Sequence, residues 1–261
     1  MEVKNHHHGH DVGERLYLHR HTPIHDLPPH VKILAALAFI IVVISTPITN
    51  VRAYVAYFAI ISVAISIARL PWKVVFARSL IEIPFIFFAL LMPFFGTGSK
   101  VQVLGLSLYE DGIQSGAGII AKGTLGILVA ILLSSSTTAR ELLRGLEKLR
   151  LPSLLIQITT FMLRYMNVVN DEMERMRIAR AARGFEATGI QHWRILANSA
   201  GALFIRSYER GERVHLAMIA RGYNGQMPQE ISAFQIRDWI VGAILPVSAL
   251  MAYLITWAIG A

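Results

Sequence analysis

Cysteine is absent from the 261 residues of this chain, and the common catalytic signatures are absent with it. Without cysteine there are no disulfides, no thiolate metal site and no thiol nucleophile. The sequence has no Gly-x-x-x-x-Gly-Lys-Ser/Thr phosphate loop, so we do not expect the chain to bind ATP in that way. His-Glu-x-x-His and Gly-x-Ser-x-Gly are missing too, which argues against zinc proteases and α/β-hydrolases. Charged residues are also scarce, at 16% of the chain.

Apolar residues are abundant instead. They make up 54% of the sequence, and the mean hydropathy is +0.49. This composition is typical of a multi-span membrane protein. A membrane-spanning helix needs about 17–25 mostly apolar residues, and the segments that approach this length are 31–46, 51–68, 80–95, 113–134 and 239–259. The sequence therefore predicts an all-α membrane protein with about five transmembrane helices.

The basic residues are concentrated in one segment. Of the 25 Lys and Arg, 14 lie between Arg140 and Arg221, against 8 Asp and Glu. A basic block beside membrane spans indicates a cytoplasmic face, and no motif for reading RNA or DNA favours nucleic acid as a partner. We therefore expect a multi-pass protein of the cell membrane, with its N-terminus inside and its C-terminus outside. The predicted organisation is a His-rich cytoplasmic tail (1–30), four transmembrane helices (31–134), a cytoplasmic domain of long helices (135–236) and a final transmembrane helix (237–261).

One pattern occurs twice in the basic segment, and its matched positions are all 38 residues apart. The first copy consists of Glu174, Arg175, Ala179, Ala182, Arg183 and Gly184, and the second of Glu212, Arg213, Ala217, Ala220, Arg221 and Gly222. An aromatic residue follows each copy. A glycine C-cap with a cation in the last turn explains either copy alone. The repeat predicts more: two helices with a smooth alanine face, each presenting an arginine fork to one of two equivalent grooves on a partner.

With these motifs the chain resembles the transmembrane T component of energy-coupling factor transporters, over almost its whole length. The resemblance rests on Ala182-Arg183-Gly184 and Ala220-Arg221-Gly222. It implies that Arg183 and Arg221 end two coupling helices and dock in the grooves of two ABC-type ATPase subunits. It also implies a membrane-embedded substrate-binding subunit as a further partner. ATP would then lie on the partner subunits, and this chain would bind no cofactor and catalyse no reaction.

The substrate is less defined by the residues. Segments 25–32 and 209–213 look most like the cobalt/nickel branch of the family, whereas a T component for a vitamin remains an alternative. A conventional ABC permease is a further alternative, although that class generally couples through one short loop helix per subunit. An intramembrane enzyme using the histidines between His19 and His30 is the rival from another class. These histidines lack a nearby carboxylate pair.

A few polar residues stand apart from this scheme. The tail histidines His6, His7, His8 and His10 are weak metal-ligand candidates, and a disordered tail or tag is the alternative. Lys122 lies inside the fourth predicted span, where a charge is costly, and it either has a function or faces a polar bundle interior. Glu82 is expected near the start of the third span, within reach of the inner interface. Thr138 is expected to cap a short amphipathic helix.

Overall fold

The computed structural model describes residues 17–18, 20, 22–95, 100–103, 106–185, 192–225 and 235–260. Their elements are α1 (Pro29–Ser45), α2 (Val51–Ile67), α3 (Trp72–Ser79), α4 (Ile83–Phe95), β1 (Lys100–Val103), β2 (Leu106–Tyr109), α5 (Glu110–Ser136), α6 (Ala139–Lys148), α7 (Ser153–Ala181), α8 (Trp193–Ala220) and α9 (Ile236–Gly260). These elements form two compact units. The apolar unit holds α1–α6 and α9, and the helix-pair unit holds α7 and α8.

The expected class, an all-α membrane protein, is confirmed, and each of the five predicted spans is helical. Within the described residues, Trp72–Phe95, Glu110–Ser136 and Ile236–Ala258 are long and apolar enough to cross a membrane. The first and second apolar helices, α1 and α2, have 17 residues each. One feature was not predicted: β1 and β2 form a short antiparallel ribbon between α4 and α5. The alternation of Val and Leu with Gln and Ser in 101–108 is the signal that could have shown it.

The third span begins earlier than predicted. A 3-10 turn, Leu80–Glu82, joins α3 to α4, so the helical stretch starts at Trp72 rather than at residue 80. Glu82 is therefore ten residues into this stretch, about 15 Å from the start of the stretch rather than close to it. That its carboxylate reaches the inner interface stays a prediction. Its side chain is buried at 3% exposure and accepts a hydrogen bond from Thr124 Oγ1 at 2.8 Å.

The core of the apolar unit lies where α1, α2 and α5 meet. Phe39 and Tyr57 are fully buried and meet edge to face, with ring centroids 6.0 Å apart. The buried Tyr57 hydroxyl is satisfied by Thr46 Oγ1 at 2.8 Å. Many large apolar side chains on the outer faces of these helices are more than half exposed, such as Val55 and Phe85. An apolar surface of this kind suits contact with lipid.

The end of the apolar unit where α5 finishes is called the basic end here. Buried Lys32 donates to the carbonyls of His25 and Ser136, both at 2.8 Å, and Arg78 donates to Ser135 Oγ at 2.5 Å. Cations are favourable at a helix C-terminus because the last carbonyls there carry partial negative charge. These bonds tie the segment before α1, α1 itself and α3 to the end of α5.

The short amphipathic helix α6 packs with the apolar helices. Thr138 accepts from the N–H of Glu141 and the Glu141 carboxylate accepts from the N–H of Thr138, so the predicted N-cap is confirmed as a capping box. Buried Gly145 lies against α1, where an added Cβ would be 2.9 Å from Ile33 Cδ1. The apolar unit accordingly extends to Leu149, and the helix pair begins after it.

Lys122 and the glycines of α5 have structural roles within the apolar unit. Lys122 Nζ donates to the carbonyl of Ile44, in the last turn of α1, at 2.9 Å. Added Cβ atoms at Gly112 and Gly116 would each lie 2.5 Å from a backbone oxygen of α4. Small residues let α4 and α5 approach closely, so these two glycines serve packing within the subunit.

Candidate functional site

The first copy of the repeated pattern ends α7 in a defined backbone motif. Gly184 takes the left-handed conformation at φ +72°. Its N–H donates to the carbonyl of Ala181 at 2.9 Å, and the N–H of Phe185 donates to the carbonyl of Arg180 at 3.1 Å. This pair of bonds defines a Schellman cap, which satisfies two carbonyls of the last turn. Arg183 is the residue immediately before the left-handed glycine.

The second copy ends α8 in the same way. Gly222 has φ +84°, its N–H donates to the carbonyl of Ile219 at 2.9 Å, and the N–H of Tyr223 donates to the carbonyl of Met218 at 3.0 Å. Arg221 precedes this glycine as Arg183 precedes the other. The prediction that each helix is broken at the glycine after its arginine is confirmed, and both arginines are in the same local geometry.

The repeat also fixes which residues face solvent. Arg183 and Arg221 are exposed. The other repeated positions are exposed as well: Glu174, Arg175, Ala179, Ala182 and Gly184 in α7 and its cap, and Glu212, Arg213, Ala217, Ala220 and Gly222 in α8 and its cap. The half-buried positions keep the same offset: Met176 with Val214, Arg180 with Met218, and Phe185 with Tyr223. The two helices thus present one repeated surface and pack through another.

α7 and α8 run antiparallel, which places the two arginines at opposite ends of the pair. Side-chain hydrogen bonds join the helices along their length: Tyr223 to Gln157, Arg206 to Glu172, and Arg180 to Ser199. α7 has 29 residues, and a helix rises 1.5 Å per residue. Arg183 and Arg221 are therefore separated by about 40 Å along the pair.

Each tip is held against the beginning of the opposite helix. The Phe185 ring meets the ring of His192, just before α8, edge to face at 5.0 Å between centroids. At the other end Tyr223 donates to Gln157 Oε1 at 2.5 Å, and Gln157 Nε2 donates to the carbonyl of Gly225 at 2.9 Å. The aromatic residue that follows each copy therefore anchors the cap. This is a role that the repeat alone did not indicate.

Between the tips, α7 and α8 enclose a groove of about 490 Å³. Its walls are mainly apolar, with Phe161 and Met162 on α7 and Val214 on α8. Glu172 and Arg206 cross it as an ion pair. Sequence reasoning did not find this pair, because nothing local in a helix marks which residue will face a second helix 34 positions away.

A further ion pair lies on the surface of α7. Arg177 donates to both carboxylate oxygens of Glu174, at 2.8 and 2.6 Å. The hydrogen bond from Arg177 holds the pKa of Glu174 below its usual range. Both side chains are exposed, and solvent screening makes such pairs weak contributors to stability. This contact orders the side chain of one repeated residue without covering the arginine tip.

The weak metal candidates His6, His7, His8 and His10 lie outside the described residues. Across the described ranges, no group of three or more His, Cys, Asp or Glu residues is placed to hold a metal ion. His25, before α1, and His30, in the first turn of α1, have other contacts. His25 Nδ1 lies 2.7 Å from Thr22 Oγ1, and the His30 ring packs edge to face on Trp239.

Comparisons with known proteins agree on one family. The family model described as cobalt transport protein, CbiQ, matches residues 20–231. The chain is 31% identical over 232 residues to the energy-coupling factor transporter transmembrane protein EcfT of Listeria innocua, covering 81% of this chain and 86% of that protein. It is 26% identical to EcfT of Staphylococcus aureus over 92% of this chain and 97% of that protein. It is 27% identical to the cobalt transport protein CbiQ of Rhodobacter capsulatus over 60% of this chain and 66% of that protein.

The matched region covers the helix pair with both arginine tips, and the apolar unit except α9. It begins before α1 and runs past Tyr223. The Listeria and Staphylococcus relatives are named as transmembrane proteins of transporters, which agrees with the apolar helices described above. The chain therefore belongs to the CbiQ/EcfT family of transporter transmembrane proteins.

Proposed function

We propose that this chain is the coupling subunit of an energy-coupling factor importer. It transmits motion from two ATPase subunits to a separate membrane subunit that binds the substrate. One observation carries the proposal: two exposed arginines, in matching Schellman caps, stand at opposite ends of one antiparallel helix pair. Two equivalent tips suit the two equivalent grooves of a two-fold or pseudo-two-fold ATPase dimer.

The two arginine tips insert into the ATPase grooves as rigid elements. Each arginine follows a rigid helix and precedes a glycine whose backbone is held by two hydrogen bonds. An arginine fork in a groove lined by carbonyls or carboxylates makes charge-assisted hydrogen bonds. Such bonds are worth about 1.5–3 kcal/mol each, or roughly 10- to 150-fold in affinity.

The helix pair transmits the motion. When the ATPase grooves move together on ATP binding, they carry the two tips with them. The cross-helix bonds of Glu172 with Arg206 and of Arg180 with Ser199 resist sliding of α7 along α8. The pair then responds by rotating or closing about its centre. That change is passed to the membrane helices and on to the substrate-binding subunit.

The chain itself performs no chemistry in this scheme and binds no cofactor, since ATP lies on the partner subunits. Lys32, Arg69 and Arg78 lie at the basic end of the apolar unit, which supports a cytoplasmic position for that end under the positive-inside rule. The N-terminus is then inside and the C-terminus outside. Cobalt or nickel is the substrate we propose, because matched relatives are named cobalt transport proteins. A vitamin is the alternative.

The test is co-purification of the ATPase subunits with charge-reversal variants. Arg183→Glu and Arg221→Glu should each weaken co-purification and transport, and the double variant should abolish both. Arg194→Glu is the matched control, because Arg194 is an exposed arginine at the start of α8 without a counterpart in the repeat. It should behave like the wild type. Persistent ATPase binding by the double variant would refute the docking role.

Stoichiometry separates this function from that of a conventional permease. One copy of this chain for two ATPase chains supports a coupling subunit that spans the ATPase dimer with both tips. Two copies for two ATPase chains would support a permease, in which each copy couples to one ATPase. Mass measurement of the intact purified complex distinguishes the two.

A further inference from the structure

A second cavity lies in the apolar unit, between α2 and α9. Its volume is about 650 Å³, and α1 and α5 form its floor. The lining is almost wholly apolar. Val63 and Ile67 on α2 and Ile244 on α9 are each about half exposed along its sides. In a membrane protein, an apolar opening between two helices of this kind faces the acyl chains of the bilayer.

The shape of this cavity follows from where α2 and α9 touch. At one end Asn50 Nδ2 donates to Thr256 Oγ1 at 3.0 Å, so the two helices meet directly. Toward the basic end a space opens between them, and along α2 it is lined from Ala59 to Ile67. Eight residue steps correspond to about 12 Å. This is a crevice of the right form for part of one acyl chain.

Cations stand at the basic end of the crevice. Arg69 follows Ile67 by two residues, and Arg237 precedes the lining residue Val241 by about one helical turn. Both arginines are exposed. Lys32 lines the crevice too, but its ammonium group is held by two backbone carbonyls. Two carboxylates lie at the same end, Asp238 and also Asp26, which stands between the lining residues Ile24 and Leu27. Together with Arg69, Arg237 and Lys32 they leave one net positive charge there.

Arg69 occupies a backbone position that allows a clean test of its side chain. Arg69 has φ +53°, a left-handed conformation that favours glycine, and Arg150 has the same conformation at φ +66°. The N–H of Arg69 donates to the carbonyl of Ser66 at 3.0 Å, and the N–H of Leu70 donates to that of Ile65 at 3.2 Å. This is the Schellman cap of α2, with arginine where glycine is usual. A non-glycine residue costs about 1–2 kcal/mol there, so glycine can replace Arg69 without adding backbone strain.

We propose that the crevice between α2 and α9 binds an anionic phospholipid. One acyl chain occupies the apolar space, and Arg69 and Arg237 hold the headgroup phosphate. The lipid fills a gap that would otherwise separate two packed helices, so it is part of the packing of the apolar unit. The site is independent of the coupling role proposed above, because it rests on the membrane location of the chain alone.

Arg69→Gly tests the charge without the usual risk to folding. Glycine relieves the left-handed strain, so the variant should be at least as stable as the wild type. Native mass spectrometry of the full chain, with phosphatidylglycerol or phosphatidylcholine of matched acyl chains, measures lipid retention. We expect the wild type to retain phosphatidylglycerol more tightly. Arg69→Gly should weaken that retention about fivefold, the effect of one basic residue at an anionic headgroup, and should leave phosphatidylcholine unchanged.

Two further variants separate the effect of the crevice's shape on lipid retention from the effect of its charge. Ala59→Phe fills the crevice and should weaken retention of both lipids. Lys73→Gln removes an exposed cation on α3, a helix that contributes no residue to the lining of the crevice, and it should leave retention of both lipids near the wild-type level. Equal retention of the two lipids by the wild type would overturn the proposal, as would an unchanged affinity of Arg69→Gly for phosphatidylglycerol. Unchanged lipid retention by Ala59→Phe would also overturn it, and would favour a partner subunit as the occupant.

Discussion

Alanine at Gly184 or Gly222 should loosen the helix cap that positions each arginine tip. Both glycines have positive φ, and a Cβ added at either position would meet no atom within 4 Å. The whole cost is therefore strain in the backbone, about 1–2 kcal/mol for an L-residue in the left-handed region. A change of this size raises the population of the opened cap roughly 5- to 30-fold.

Hydrogen exchange measures that opening directly. The amides of Phe185 and Tyr223 each donate the bond that closes the cap. In the full chain held in lipid nanodiscs, Gly184→Ala should raise exchange at Phe185 by about 5- to 30-fold, and Gly222→Ala should do the same at Tyr223. Each substitution should leave the other cap unchanged, because the caps lie about 40 Å apart.

Changing glycine to alanine inside α8 should stabilise the protein instead of destabilising it, which provides a control. Gly201 is in the helix interior with open space around its Cβ position, so Gly201→Ala should stabilise the helix by about 1 kcal/mol. Asparagine tolerates the left-handed region better than alanine, so Gly222→Asn should open the cap less than Gly222→Ala. The strain explanation is refuted if asparagine and alanine act equally at Gly222, or if Gly201→Ala is as disruptive as Gly222→Ala.

Three further predictions concern the apolar unit. Lys32→Met leaves two backbone carbonyls at the basic end without their donor. We therefore expect the free energy of unfolding to fall by about 1–3 kcal/mol for each carbonyl, which would be seen as a lower Tm in detergent. Gly112→Ala places a Cβ 2.5 Å from the Met92 carbonyl oxygen and should destabilise the protein by about 1–3 kcal/mol. Gly126→Ala meets no atom within 4 Å inside α5, so it should raise the Tm slightly, as expected for Gly201→Ala. Burial, followed by the charge of Lys32, lowers the pKa of His25. The folded state then favours the neutral ring, so the free energy of unfolding should be constant above pH ~6.5 and fall as the pH drops below that value. The Tm measured against pH checks this. A His25→Gln variant that keeps the full pH dependence would contradict it.

Several features of the candidate site depend on short stretches of sequence and could be predicted from them. A helix that ends in a Schellman cap is decided within about six residues, because both cap bonds close over that distance. The breaks at Gly184 and Gly222 were predicted for this reason, as was the N-cap at Thr138. The 38-residue repeat also fixed the shared orientation of the two arginines on their helices, since equal spacing gives equal faces.

Other features could not be predicted from the sequence, because they depend on contacts between distant parts of the folded chain. The position of Glu82 was missed because two short helices and a 3-10 turn merge into one stretch, and the neighbour that its carboxylate meets, Thr124, comes from α5. The bond from Lys32 to the carbonyl of Ser136 joins residues 104 positions apart, and no local pattern encodes such a pair.

Hydrophobic runs and helix caps are local properties, so the amino-acid order is enough to predict an apolar, membrane-spanning chain with two matched arginine tips. The position of Arg183 and Arg221 at opposite ends of an antiparallel pair is a tertiary property. That arrangement depends on which faces of α7 and α8 meet, through contacts such as Glu172 with Arg206. The crevice between α2 and α9 is likewise a tertiary feature, because a gap is a property of how helices pack rather than of any one helix.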